Sequence, residues 1–377
     1  MIKSKLKLMK ASFQKIFYVF SSIILLIISL HFAKPVMIPL FSALLLAFIL
    51  FPVSKKLENI GFGRITSTTI SLFGFALIII SVFYLFSRQI ISLISQLSEF
   101  RDRLSMVFEQ SVQFLNEKIP VIPKLSQADI IAKSQQWVQE SGIDIMSNTV
   151  DSTTSFFSGI IAIVVYTFLL LIYRSGIIKV FIDSVKKEYK PKIREMIVEM
   201  QKVGQNYLVG MGIMILILGI ANSIVLLIFN IDHPFLFGFF AGLLALIPYI
   251  GTAIGGIIPV LYAFMTQDSL WVPIGIAVSF WIIQSIEGNF LNPKIVGGNL
   301  NINALAAIIA LIVGGYLWGI AGMILFLPLA AIFRVFCSYF TDLKPVSMFM
   351  RDDLFESRKK KNDPDIFHKF SKLFGKG

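Results

Sequence analysis

The sequence predicts an all-α polytopic membrane protein with about eight membrane segments, two of them broken, plus a long helical extracytoplasmic arm. Three observations carry this. The 377-residue chain is 56% hydrophobic and only 15% charged, too apolar for disorder or for an ordinary soluble domain. Several runs reach the roughly 20 apolar residues that cross a bilayer. Two long apolar runs, 234–264 and 304–333, are interrupted by glycine and proline. Lipid offers a free peptide group no hydrogen bond, so a broken backbone at membrane depth must lie inside protein or beside a watery cavity.

Charge placement sets the orientation. The net charge of +12 suggests nucleic acid only until its distribution is read. Of 34 Lys and Arg, 26 fall in four places: before the first span, at Lys55, Lys56 and Arg64, from Arg174 to Lys202, and from Arg334 onward. Residues 88–151 carry six bases against eight acids. That is the positive-inside asymmetry of a membrane protein, and no nucleic-acid partner is expected. Both termini are placed on the cytoplasmic side.

The elements follow in order. Lys3, Lys5, Lys7 and Lys10 precede a first span at 16–33; no small-residue cleavage site follows, so a retained anchor is expected. Lys34-Pro35 makes a tight turn, and a second span, 36–53, completes an N-terminal unit over 1–65. A third span starts near Thr66. Beyond Phe86, Ile91, Ile94, Leu97, Leu104, Val107, Phe108, Phe114 and Leu115 keep helical spacing among polar residues. A helix over 66–118 would be roughly 80 Å long against a hydrocarbon core of about 30 Å, so it projects as an arm, about 90–152. Pro120 and Pro123 end it. Ser126 to Asp129 resembles a capping box opening a second amphipathic helix, and a fourth span, 156–173, closes the unit 66–175. The arm's narrow apolar stripe points to packing on a second copy. Residues 176–206 form a cytoplasmic amphipathic linker, with Ile193, Met196, Ile197, Met200, Val203 and Tyr207 on one face. The region 207–341 is the core and begins with a fifth span, 207–229. The tail, 342–377, places Ile366, Phe367, Phe370, Leu373 and Phe374 opposite lysines, a pattern that binds membrane lipid.

Each broken segment either crosses once, giving eight crossings, or turns back as a re-entrant hairpin. Length favours hairpins: residues 234–264 exceed one span of about 20. The two hairpins would then enter from opposite faces. Paired Gly/Pro-interrupted segments of this kind point to a transporter's binding site. Pro248, Gly251, Gly255, Gly256 and Pro259 are expected at the tip of the first, Gly314 and Gly315 at the tip of the second. GxxxG spacing also serves plain helix packing.

Catalytic signatures are absent. The sequence has no GxxxxGK[ST], HExxH or GxSxG, and His31, His233 and His368 are far apart. No enzyme activity, metal or other cofactor is expected. Cys337 is the single cysteine, which excludes an intrachain disulfide. The chemistry lies in the cluster Gln284, Glu287, Asn289, Asn292 and Lys294 at the end of a span that begins near Trp271. An ionisable group in a span usually lines a cavity or pairs with a cation; Lys294 is the partner in reach. The competing reading makes Glu287 and Lys294 interfacial charges, and the asparagines helix caps. Gln205, at the inner end of the fifth span, is a candidate gate.

VGQNYLVG from Val203, FGFFAGLLALIPYIGTAIGGIIPVL, IEGNFLNPKIVGGNLNINAL and LIVGGYLWGIAGMILFLPLAAIFRV resemble, in that order, the autoinducer-2 exporter family of bacterial inner-membrane proteins. Thr252 stands where the family usually has proline, and Gly288-Asn289 where it often has two asparagines. The resemblance implies an oligomeric transporter, such as a homopentamer, that moves a small polar signalling molecule by elevator-like motion. Some relatives are linked to monovalent-cation/proton exchange. Export of a small polar solute is therefore the leading expectation. Proton-coupled cation exchange through Glu287 is the second, and a non-transporting scaffold the third.

Overall fold

The computed structural model describes residues 13–95, 157–247, 250–267 and 269–352. The chain opens with α1 (Phe13–Phe32), α2 (Lys34–Asn59), α3 (Arg64–Ser95) and α4 (Phe157–Asp183). A 3-10 turn at Lys187–Tyr189 leads into α5, Lys190–Ile228, an unbroken helix of 39 residues. Then come α6 (Pro234–Leu244), α7 (Ile250–Thr266) and α8 (Trp271–Ile286). Two π-helical turns, Glu287–Leu291 and Pro293–Gly297, precede α9 (Ala304–Tyr339) and α10 (Lys344–Met350). Among the described residues six helices are long and apolar enough to cross a membrane, and there is no strand beyond the isolated bridge between Ile302 and Arg351. The protein is an all-α polytopic membrane protein.

Helices α2, α3 and α4 pack through an apolar cluster and a set of polar contacts. Leu50, Leu72 and Leu171 share an apolar cluster, and Thr167 Oγ1 reaches the Ala43 carbonyl at 3.4 Å. At the far end, Glu58 accepts from Arg174 Nη2 at 2.5 Å, with Lys55 at 3.5 Å and Arg64 at 4.0 Å. Arg174 also stacks on the Phe51 ring, 4.9 Å from its centroid. Helices α2 and α4 therefore run the same way, and α3 runs back between the turn at 60–63 and Ser95. At 32 residues α3 is about 48 Å long, so it outruns a hydrocarbon core of about 30 Å. The predicted arm beyond Ser95 lies outside the described residues, as do the tail beyond Asp352 and Pro248.

Both broken segments reverse direction. A Cβ on Gly251 would collide with the Leu244 carbonyl, and one on Gly255 would lie 2.8 Å from Ala241 Cα. Helices α6 and α7 thus run antiparallel with backbones touching, which glycine alone permits. In α9 the chain turns at Gly319 (φ 61°, ψ −140°), a conformation that disfavours any side chain. Gly314 then meets Gly322, a built Cβ lying 2.5 Å from the Gly322 carbonyl oxygen. In a straight helix those residues would be about 12 Å apart. The tip is therefore Gly319, not Gly314 or Gly315 as expected. These two lie in the limb before the turn, where absent side chains let the limbs close. Composition had marked the glycine-rich stretch; only the positive φ at Gly319 fixes the turn.

Helix α5 is the spine against which both hairpins pack. Gly219 faces the Phe239 ring, and Gly238 faces Ser223. The open end of the α6–α7 hairpin lies near Phe229. The α9 hairpin opens near Glu199, whose carboxylate accepts from the Tyr339 hydroxyl at 2.8 Å. Ile228 and Glu199 are about 44 Å apart along α5, so the hairpins open toward opposite ends. The α9 tip is tied to α1 by Trp318 Nε1, which donates to the Leu30 carbonyl at 3.0 Å, one of the orphan carbonyls of that helix end. Asn303 caps α9, accepting from Ala306 N at 2.8 Å, and donates to the Phe349 and Arg351 carbonyls at 2.6 and 3.1 Å. This ties α10 to the base of the hairpin.

Candidate functional site

The site segment begins on α8. Ile276 and Phe280 are buried, and Gln284 and Glu287 continue that face half-buried. Two fixed points place them. Gly275 abuts the Phe229 ring, and Gly210 abuts the Ile295 carbonyl, where a Cβ would lie 2.7 Å from the oxygen. Helices α5 and α8 with its π turns therefore run antiparallel, residue for residue. Interpolation sets Glu287 at about the level of Ile217, about 18 Å inward from Phe229. Ten further residues of the Trp271–Gly297 span follow it. Glu287 is thus the seventeenth residue of a 27-residue candidate span.

Sequence explains the change of helix type. Pro293 has no N–H to give to the helical ladder. The ladder widens on both sides of it: Asn292 N–H bonds the Glu287 carbonyl, and Gly298 N–H the Pro293 carbonyl. In such an i to i+5 ladder, the Gly288 carbonyl would need the missing N–H of residue 293. π-Helical turns inside α-helices are frequent at functional sites. Glu287 and the Gln284 amide, half-buried on one face, offer carboxylate and amide acceptors and amide donors suited to hydroxyls or to a cation.

The structure divides the predicted cluster. Gln284 and Glu287 face inward. Asn289 is exposed and donates to the Ser285 carbonyl at 2.8 Å, while Asn292 and Lys294 are also exposed. No ion pair joins Glu287 to Lys294 among the described residues, which corrects the expected pairing: the widened turn carries Lys294 to the outward side. Gln205 is half-buried on α5, about 18 Å along the helix from the level of Glu287, and does not join the group. Gly256 faces Phe280 at 3.9 Å, and Pro259 is fully buried in α7. Among the described residues no three His, Cys, Asp or Glu side chains gather as a metal site. Sequence reasoning missed Asn303 because its value lies in a contact with α10, 46 residues away.

Two hairpins opening to opposite ends, with an acidic group on a broken span between them, define a transporter-type helical membrane protein. The chain belongs to the AI-2E transporter family, whose sequence profile matches residues 20–342. It is 34% identical to the putative transport protein YrrI of Bacillus subtilis over 37% of this chain and 39% of that one. It is 32% identical to YueF of the same organism, over 34% and 35%. The AI-2 transport protein TqsA of Escherichia coli is 28% identical over 34% and 38%. The chain thus aligns with less than half of each relative's length.

Proposed function

We propose that this protein exports a small polar solute of the autoinducer-2 kind across a bacterial inner membrane, with both termini cytoplasmic. The observation that carries the proposal is the inward-facing pair Gln284 and Glu287 within a broken span, between hairpins that open to opposite ends of α5. That arrangement matches a site reached alternately from two sides. Under this reading the hairpins are re-entrant, and the core moves elevator-like against α1 to α4. The polar contacts to be broken are Trp318 to Leu30 at 3.0 Å and Gln89 Oε1 accepting from Leu236 N at 3.0 Å, and the apolar cluster of Leu45 with Leu317, Trp318, Leu325 and Ile332 would have to slide. The relative named for AI-2 transport supports the solute class. Self-association is part of the proposal, because the most apolar stretches of α3 and α4 are only 6% and 11% buried. The test is accumulation of autoinducer-2 in the medium of expressing cells, with Glu287→Ala as the control. Equal accumulation from both would remove the proposal.

A second reading draws on the half-buried Glu287 carboxylate: exchange of a monovalent cation for a proton. Sodium added to everted vesicles would then collapse a preformed pH gradient, and Glu287→Gln would abolish that response.

A further inference from the structure

Asn222 is buried on α5 with 1% of its surface exposed, and neither its Oδ1 nor its Nδ2 has a hydrogen-bond partner among the described residues. A primary amide offers two donors and an acceptor with two lone pairs. Leaving all of them dry is costly, and native interiors pair nearly all such groups. Its neighbour Ser223 is already used, donating to the Gly219 carbonyl at 2.6 Å.

The position of Asn222 is specific. Leu218, Asn222 and Leu226 form one stripe, four residues apart, and all are buried. Leu218 belongs to a cluster that Ile283 packs against, while Leu226 belongs to one with Ile276 and Phe280. From the Phe229–Gly275 and Gly210–Ile295 contacts, Asn222 lies on α5 level with Ile282 and Ile283 of α8, within about one turn of Gln284 and two of Glu287. We propose that Asn222 is the α5 wall of the transport site. It supplies donors and an acceptor beside Gln284 and Glu287 on α8, for a small solute that carries both kinds of hydrogen-bonding group. This rests on the transport reading above and extends it to a residue with no sequence signal of its own.

The test uses the full chain in membrane vesicles with Cys337→Ala. Single cysteines are placed by Asn222→Cys, Gln284→Cys and Leu226→Cys, and the probe is the water-soluble cation 2-(trimethylammonium)ethyl methanethiosulfonate. Only an ionised thiol in a watery setting reacts well. Asn222→Cys and Gln284→Cys should react at similar rates, at least about tenfold faster than Leu226→Cys on the same stripe. In the parent chain, Asn222→Leu should cut autoinducer-2 export at least about tenfold, with the melting temperature held or raised because a dry amide is gone. If Gln284→Cys reacts and Asn222→Cys is as slow as Leu226→Cys, this inference falls and the α8 site stands. If neither Asn222→Cys nor Gln284→Cys reacts, the site itself fails, and the proposed function with it. Unchanged export by Asn222→Leu would mean that the amide merely holds a water, and a joint loss of export and melting temperature would mark it as structural; either overturns the proposal.

Discussion

Gly210 and Ile295 meet backbone to backbone: a Cβ at position 210 would lie 2.7 Å from the Ile295 carbonyl oxygen. This contact seats the second π-helical turn on α5 and so fixes the depth of Glu287. Gly210→Ala must push that turn outward, because the obstacle is backbone and cannot swing aside. Gly212 has nothing within 4 Å. Export should fall severalfold for Gly210→Ala and remain at the parent level for Gly212→Ala, measured at matched membrane expression. Equal export from the two would detach the site from this contact.

The hairpin glycines divide in the same way. Gly251→Ala drives a methyl into the Leu244 carbonyl, and Gly319→Ala imposes a side chain at φ 61°. The second should cost on the order of 1–3 kcal/mol, and the first at least as much. Gly256→Ala meets only the Phe280 ring at 3.9 Å, so it should melt with the parent in detergent. A Gly256→Ala protein as unstable as Gly251→Ala would refute the hairpin geometry.

Asn303 serves two purposes that substitution can separate. Asn303→Asp keeps the acceptor that caps α9 but loses the donors to the Phe349 and Arg351 carbonyls. Asn303→Ala loses both. Loss of the cap alone costs about 1 kcal/mol. Protease sensitivity between α9 and α10 should therefore rise for both variants. If Asn303→Asp resists proteolysis like the parent, α10 is held by something else.

Glu58 joins α2 to α4 through Arg174, each side chain 12% exposed. Glu58→Gln should cost about 2–4 kcal/mol, because it leaves a shielded guanidinium without its counter-charge. Lys55→Gln should cost under about 1 kcal/mol, since that lysine is 52% exposed. Melting of both variants in the same detergent checks the order, and a larger loss from Lys55→Gln would contradict it.

Much of this architecture was legible in the sequence, and the exceptions have physical causes. Apolar runs gave the helices, because span length and composition are local properties. Length favoured hairpins for the broken segments but left single crossings open. The turn at Gly319 was not legible, since four glycines from 314 to 322 share one composition and only the backbone dihedral picks among them. In the site, the sequence named five polar residues together, and only their burial separates Gln284 and Glu287, which continue the face of Ile276 and Phe280, from the exposed Asn289, Asn292 and Lys294. Lys294 did not pair with Glu287: seven residues of α-helix would align them, and two π turns undo that alignment. Asn222 stayed invisible because one asparagine in an apolar helix has no sequence signal until its burial is known.

The proposed export stands or falls with Glu287 as a transport residue within the membrane span. The most direct measurement is transport by Glu287→Ala and Glu287→Gln, with Lys294→Gln alongside, between about pH 6 and about pH 8. The account predicts at least about a tenfold loss for Glu287→Ala, partial export for Glu287→Gln with a hydrogen-bonded neutral solute, and little change for Lys294→Gln. Parent-like transport by Glu287→Ala across that pH range would contradict it.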